Sequence, residues 1–88
     1  MICRRCIVTG KVQGVWFRET TRRRGLELGL SGSAVNLRDG SVEVIVQGRA
    51  EDVESLCDWL RQGPPTARVQ SVRCQSWEGR VAPGFSTG

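Results

Sequence analysis

The sequence predicts an α+β sandwich with two helices on one face of an antiparallel sheet. Three observations point there: apolar residues alternate at period two over Ser41 to Gln47, they recur at helical spacing over Val53 to Leu60, and glycine or proline punctuation separates the segments. With 88 residues, 39% hydrophobic and 25% charged, the chain has the length and composition of one folded unit, and a single domain over residues 1–88 is expected.

The elements follow in order. Cys3 to Thr9 reads as a first strand, ending in β-branched Ile7, Val8 and Thr9 before Gly10 and Gly14 mark a loop. From Val15 to Leu28, Phe17, Thr21, Gly25 and Leu28 make one inward helical stripe, and Gly29 is placed to end it with a left-handed cap. Ser31 to Leu37 is a weaker strand. Arg38-Asp39-Gly40 turns it into Ser41 to Gln47, where Val42, Val44 and Val46 share one face and Glu43, Ile45 and Gln47 the other.

A second helix carries Val53, Leu56, Cys57 and Leu60 on one side, with Glu51, Asp52 and Glu54 near its positive N-terminus, and Gly63-Pro64-Pro65 ends it. Arg68 to Trp77 is a further strand and Phe85 anchors a short terminal one. The order β-α-β-β-α-β is that of the ferredoxin-like sandwich, which by itself specifies no function.

The formal charge is +4, from 13 Lys+Arg against 9 Asp+Glu, and Lys11 is the only lysine. An arginine excess suits an anionic ligand, since a guanidinium presents a planar fork matching phosphate or carboxylate, although a GC-rich genome produces the same bias. No apolar run approaches the roughly 20 residues that span a bilayer, and Met1 to Arg5 lacks the apolar core of a signal peptide, so a cytoplasmic protein without a membrane partner is expected. Cys3, Cys6, Cys57 and Cys74 are then read as structural thiols, one opportunistic disulfide being the main alternative. The Cys3-x-x-Cys6 pair is a weak metal signal. Zinc needs two further ligands, the chain has no His, and residues three apart on a strand face opposite ways. No metal and no cofactor are expected.

The chemistry lies in Gly10-Lys11-Val12-Gln13-Gly14-Val15-Trp16-Phe17-Arg18, a loop that closes a strand and opens a helix. Amides at a helix N-terminus lack intrahelical acceptors and the helix dipole places partial positive charge there, so such a junction binds anions. Gly14 lets the backbone wrap closely and Arg18 adds a bidentate contact from the first turn. The loop is neither a Walker A motif nor a dinucleotide fingerprint. On spacing alone, an ordinary glycine-punctuated turn with Arg18 solvated competes with the anion site, and Asn36 reads equally as a turn former beside Arg38-Asp39-Gly40.

This segment resembles the acylphosphatase signature, G-[RK]-V-Q-G-V-x-F-R. The likeness continues through Gly29-Leu30-x-Gly32, Val35-Asn36-Leu37, Asp39-Gly40-Ser41-Val42-Glu43 and Gly63-Pro64-Pro65, across nearly the whole chain. The resemblance implies a metal-independent hydrolase acting on the carboxyl–phosphate bond of acyl phosphates. Carried over, the phosphate-binding loop is Gln13, Gly14, Val15, Trp16, Phe17 and Arg18, and the catalytic residues are Arg18, binding phosphoryl oxygens, and Asn36, positioning the attacking water. The partners implied are a small acyl phosphate and inorganic phosphate as product or inhibitor, with no nucleic acid, on a monomer.

The second strand departs from the family. Gly32-Ser33-Ala34-Val35-Asn36 stands where Gly-Trp-Val-x-Asn is usual, so this strand is expected to pack less well, with Trp16, Trp59 or Trp77 candidates to fill the space. Arg22-Arg23-Arg24 reads as a solvated helix face that steers anions at most. Two rival classes remain. An RNA-recognition domain shares the topology, but its sheet stacks bases on aromatics, and Ser41 to Gln47 has none in a chain with 2 Phe and no Tyr. The other is a regulatory module that keeps the phosphate cradle without turnover.

Overall fold

The computed structural model describes residues 1–88. The elements are β1 (Ile2–Lys11), α1 (Phe17–Glu27), β2 (Ser31–Asn36), β3 (Val42–Gly48), α2 (Ala50–Leu60), β4 (Arg68–Ser76) and β5 (Phe85–Thr87). Five strands form one sheet in the order β4-β1-β3-β2-β5. The expected sandwich is present, with one difference: β5 pairs parallel with β2, Gly32 opposite Phe85, so the sheet is mixed rather than wholly antiparallel. The chain reaches that far edge because residues 77–84 separate β4 from β5, and Trp77, Val81 and Pro83 line a groove with Ser33 and Ile45.

The pleat explains the core. Alternate residues of a strand share a face, and Cys6 and Val8 of β1, Ala34 of β2, Val42, Val44 and Val46 of β3 and Val72 of β4 are buried together. Val53, Leu56, Cys57 and Leu60 of α2 close over them, which is the i, i+3, i+4, i+7 face of the sequence. Helix α1 is mostly polar and buries only Phe17, Thr21 and Gly25, so packing rather than propensity holds it in place. Its Phe17 ring lies 6.1 Å from that of Trp59 on α2, centroid to centroid. Gly29 has φ 72°, and the bonds Leu30 N–H to Gly25 and Gly29 N–H to Leu26 make the Schellman cap that its place after the helix predicts. No helix is long and apolar enough to cross a membrane.

Helix α1 begins at Phe17, two residues later than the spacing predicts, because Trp16 takes a left-handed conformation that helical backbone does not accept. The weak β2 is nevertheless fully paired with β3 from Ser31 to Asn36. Ser33 points away from the helices into the groove holding Trp77, while Ala34 is wholly buried, so the missing large side chains divide between two faces. Of the three tryptophans, Trp77 faces the gap, Trp59 packs between the helices and Trp16 is exposed.

The cysteines depart from the expected set of thiols. Cys6 and Cys74, directly paired across β1 and β4, are joined by a disulfide, and Cys3 and Cys57 are free.

Gly32 is the tightest point of the sheet, since a Cβ there would stand 1.9 Å from the Ile45 carbonyl oxygen. Backbone cannot yield as a flexible side chain would. Gly32→Ala is therefore expected to lower stability by about 3 kcal/mol, read as a fall in the denaturant midpoint, and an unchanged midpoint would refute this packing.

Candidate active site

Residues 12–16 connect β1 to α1, and the carbonyls of Val15 and Trp16 are held by threonines. Thr66 Oγ1 donates to the Val15 carbonyl at 2.6 Å, Thr20 donates to Trp16 from both its amide (3.0 Å) and its hydroxyl (2.8 Å), and Thr21 Oγ1 donates to Phe17 at 2.7 Å. Gly14 (φ 72°) and Trp16 (φ 66°) alternate in left-handed backbone, the arrangement that curls successive amides into an anion-binding nest. None of the turn, loop or cap hydrogen bonds uses an N–H of residues 13–19 as donor. A non-glycine residue in this conformation costs about 1–3 kcal/mol, which the threonine bonds help offset.

The loop is fixed to the β2–β3 turn by one side chain. Gln13 Nε2 donates to the carbonyls of Leu37 (2.7 Å) and Ser41 (2.9 Å). The side chain of this predicted loop residue therefore ties the loop to the protein, while its backbone amide makes no loop hydrogen bond. Across the turn, Asp39 Oδ1 accepts from the Ser41 amide at 2.9 Å and from its hydroxyl.

Arg18 and Asn36 are brought to the same end of the sheet by different elements. Arg18, in the first turn of α1, donates from a terminal nitrogen to the Gly88 carbonyl at 2.5 Å, and Gly88 N–H donates to Ala34 at 3.1 Å, two residues before Asn36. Asn36 ends β2 opposite Val42, and its Oδ1 is buried without a hydrogen-bond partner. Leaving such an acceptor unpaired costs about 1–3 kcal/mol, so this position is not optimised for stability.

Arg18 lines a cavity of about 350 Å³ with Val12, Gly14, Trp16, Phe17, Glu19 and Thr87. A larger one, about 600 Å³, opens among Lys11, Asp39, Ser41, Arg68 and their neighbours, and neither is lined by Asn36. The smaller cavity combines the free amides with the guanidinium and is the one suited to a phosphoryl group. The signature loop reveals Gln13 and Arg18, but the donor Thr66 and the carbonyl acceptors Leu37 and Gly88 carry no local mark, being set by chain segments 24 to 70 residues away.

The three-arginine run is not a free basic face. Glu19 accepts from Arg22 and Arg23 at 2.8 and 2.9 Å, and the Arg24 guanidinium stacks 5.0 Å from the Trp59 ring centroid. Steering by this run is weakened accordingly, while the negative charge of Glu19 at the cavity wall is offset.

Comparison with known proteins accords with this geometry. The acylphosphatase family model matches residues 4–87. An acylphosphatase of Halorhodospira halophila is 46% identical over 84 residues, covering 96% of this chain and 91% of its own length. One of Nitrosococcus oceani is 49% identical over 76 residues, covering 86% and 85%. Among solved structures, an acylphosphatase from Coxiella burnetii superposes with a TM-score of 0.93 at 37% identity, over 99% of this chain and 92% of that one. The match in sequence and in fold places the chain among hydrolases built on the ferredoxin-like sandwich. The chain belongs to the acylphosphatase family.

The carboxylates at this end give a pH signature. Hydrogen bonds from Arg22 and Arg23 hold Glu19 down to about 2, and bonds from Ser41 lower Asp39 below its ordinary value. Groups depressed on folding contribute stability that is complete above their unfolded pKa and is lost as pH falls through the folded one. Melting temperature is expected to fall between about pH 4.5 and pH 2, with a smaller fall in Glu19→Gln, and a flat profile would contradict these pairings.

Proposed function

We propose that the chain performs its family's reaction, hydrolysis of the carboxyl–phosphate bond of acyl phosphates to carboxylate and inorganic phosphate, with Arg18 and Asn36 as its catalytic residues. The observation that carries this reading is the run of undonated amides from Gln13 to Glu19 at the N-terminus of α1, with a guanidinium in the same turn. Those amides and Arg18 take the phosphoryl oxygens. Charge that spreads over them in the transition state then meets donors already in place.

Asn36 positions the nucleophile. Its carboxamide has both donor and acceptor, and the unpartnered Oδ1 accepts a hydrogen bond from the water whose oxygen attacks phosphorus. As the new P–O bond forms, the bond from phosphorus to the carboxylate oxygen breaks, and the leaving carboxylate needs no proton. The proton released by water passes to a phosphoryl oxygen, so no protein base is required. Inorganic phosphate presents the same oxygen face and inhibits by occupying the cradle. The reading takes the enzyme as a cytoplasmic monomer acting on small acyl phosphates.

Benzoyl phosphate hydrolysis by the purified chain tests the reaction directly, and a folded protein without turnover would overturn it. Arg18→Lys replaces a planar fork with a point charge and is expected to lower turnover about 100- to 1,000-fold while weakening phosphate inhibition. Unaltered kinetics would remove Arg18 from the site.

Asn36→Ala separates positioning from binding. It is expected to lower kcat about 100-fold while the inhibition constant of phosphate stays near that of the unaltered chain, circular dichroism establishing that the variant folds. Retained kcat, or loss of phosphate affinity as severe as in the Arg18 variant, would refute the role.

A further inference from the structure

The sulfurs of Cys6, Cys57 and Cys74 lie within 4.8 Å of one another, although no two of these residues are near in sequence. Strand β1 brings Cys6, strand β4 brings Cys74 beside it, and α2 lowers Cys57 over both, with its Sγ 3.6 Å from that of Cys6. Cys6 and Cys57 are buried and Cys74 is partly so. Cys3 stands apart, opposite Gln47 on β3, so the C-x-x-C spacing plays no part.

We propose that, when the Cys6–Cys74 disulfide is reduced, these three sulfurs bind one soft, thiophilic cation of the monovalent copper class. A three-coordinate ion about 2.3 Å from each sulfur would set the sulfurs roughly 4.0 Å apart, close to the separation already present between Cys6 and Cys57. Opening the disulfide and rotating one side chain completes the triangle. An in-line thiol–disulfide exchange would instead need Cys57 and Cys74 on opposite sides of Cys6, which the compact triangle does not provide.

The donor set selects the metal. Thiolates favour soft ions, and zinc needs a fourth ligand that the cluster does not contain and that no His in the chain can supply. Burial pushes the Cys57 thiol up, so a proton there is hard to lose to water alone, but the neighbouring Arg4 favours the thiolate and a bound cation does so far more. Arg4 also pairs with Glu54 at 3.5 Å.

The chemistry balances with a dithiol as reductant. The dithiol gives two electrons and two protons to Cys6 and Cys74 and itself becomes a disulfide. Up to three thiol protons then pass to solvent as the metal–sulfur bonds form. The proposed reaction centre is left undisturbed, because Cys6 lies five residue steps, roughly 17 Å, along the strand from Lys11 where β1 ends.

The test uses the full chain, reduced with dithiothreitol and desalted without oxygen, then titrated with Cu(I) against a chromophoric chelator and separately with Cd(II), followed by its thiolate absorption. One Cu(I) per reduced chain is expected, with affinity lowered more than about tenfold in Cys57→Ser and unchanged in Cys3→Ser. Benzoyl phosphate hydrolysis by both variants, at the rate of the unaltered chain, establishes that they are folded. If Cys57→Ser is unfolded, Cys57→Ala read by X-ray absorption takes its place, with two sulfurs around copper instead of three. Absence of Cu(I) binding by the folded, reduced chain would overturn the proposal, as would binding indifferent to Cys57 or dependent on Cys3.

Discussion

The geometry of the loop between β1 and α1 depends on the carboxamide of Gln13. Its two hydrogen bonds, to Leu37 and Ser41, join the first crossover to the β2–β3 turn. A loop with left-handed backbone at Gly14 and Trp16 is costly to hold, and without a partner it would relax toward ordinary turn conformations. With the tie made, α1 starts at a fixed place, and the residue after Asn36 lies against the same clamp. Gln13 therefore positions groups that it does not itself replace. Thr66 adds a second tie on the opposite side, through the Val15 carbonyl.

Much of this was legible in the sequence, for reasons that differ by element. Strand β3 alternates strictly because one of its faces meets helices and the other does not, and α2 shows its buried face because the rest of it is solvated. The cap at Gly29 and the turn at Asp39-Gly40 are local chemistry and can be read locally. The start of α1 was misplaced because helical spacing continues back through Val15, and nothing in the identity of Trp16 indicates a left-handed backbone. Strand β5 was visible only as an isolated Phe85, and its parallel pairing depends on where residues 77–84 travel.

The signature singles out Gln13 to Arg18 and the likeness beyond it singles out Asn36, but the tie that the Gln13 side chain makes to the β2–β3 turn depends on tertiary placement and has no local mark. The cysteines were the hardest to read. Spacing draws attention to Cys3 and Cys6, whereas the tertiary fold gathers Cys6 with Cys57 and Cys74, and only strand order and helix placement decide that. Arg22, Arg23 and Arg24 read in sequence as a solvated helix face, and Arg23 and Arg24 are exposed, but the partners each one finds in Glu19 or Trp59 are not legible there.

The placement of β5 has a consequence for how molecules of this protein meet one another. A β-sheet with bare margins offers unpaired amides and carbonyls to any neighbour, and growth from such margins is a route to fibrous aggregates. Here the β2 margin is covered over Gly32 to Ala34 by the chain's own last strand. That leaves β4 as the outer strand on the other side, carrying Arg68, Arg73 and mostly polar neighbours, with a register irregularity where it meets Thr9 and Gly10. The outermost strand on the β2 side is then β5, only three residues long, so brevity limits one margin and the like charge of Arg68 and Arg73 guards the other.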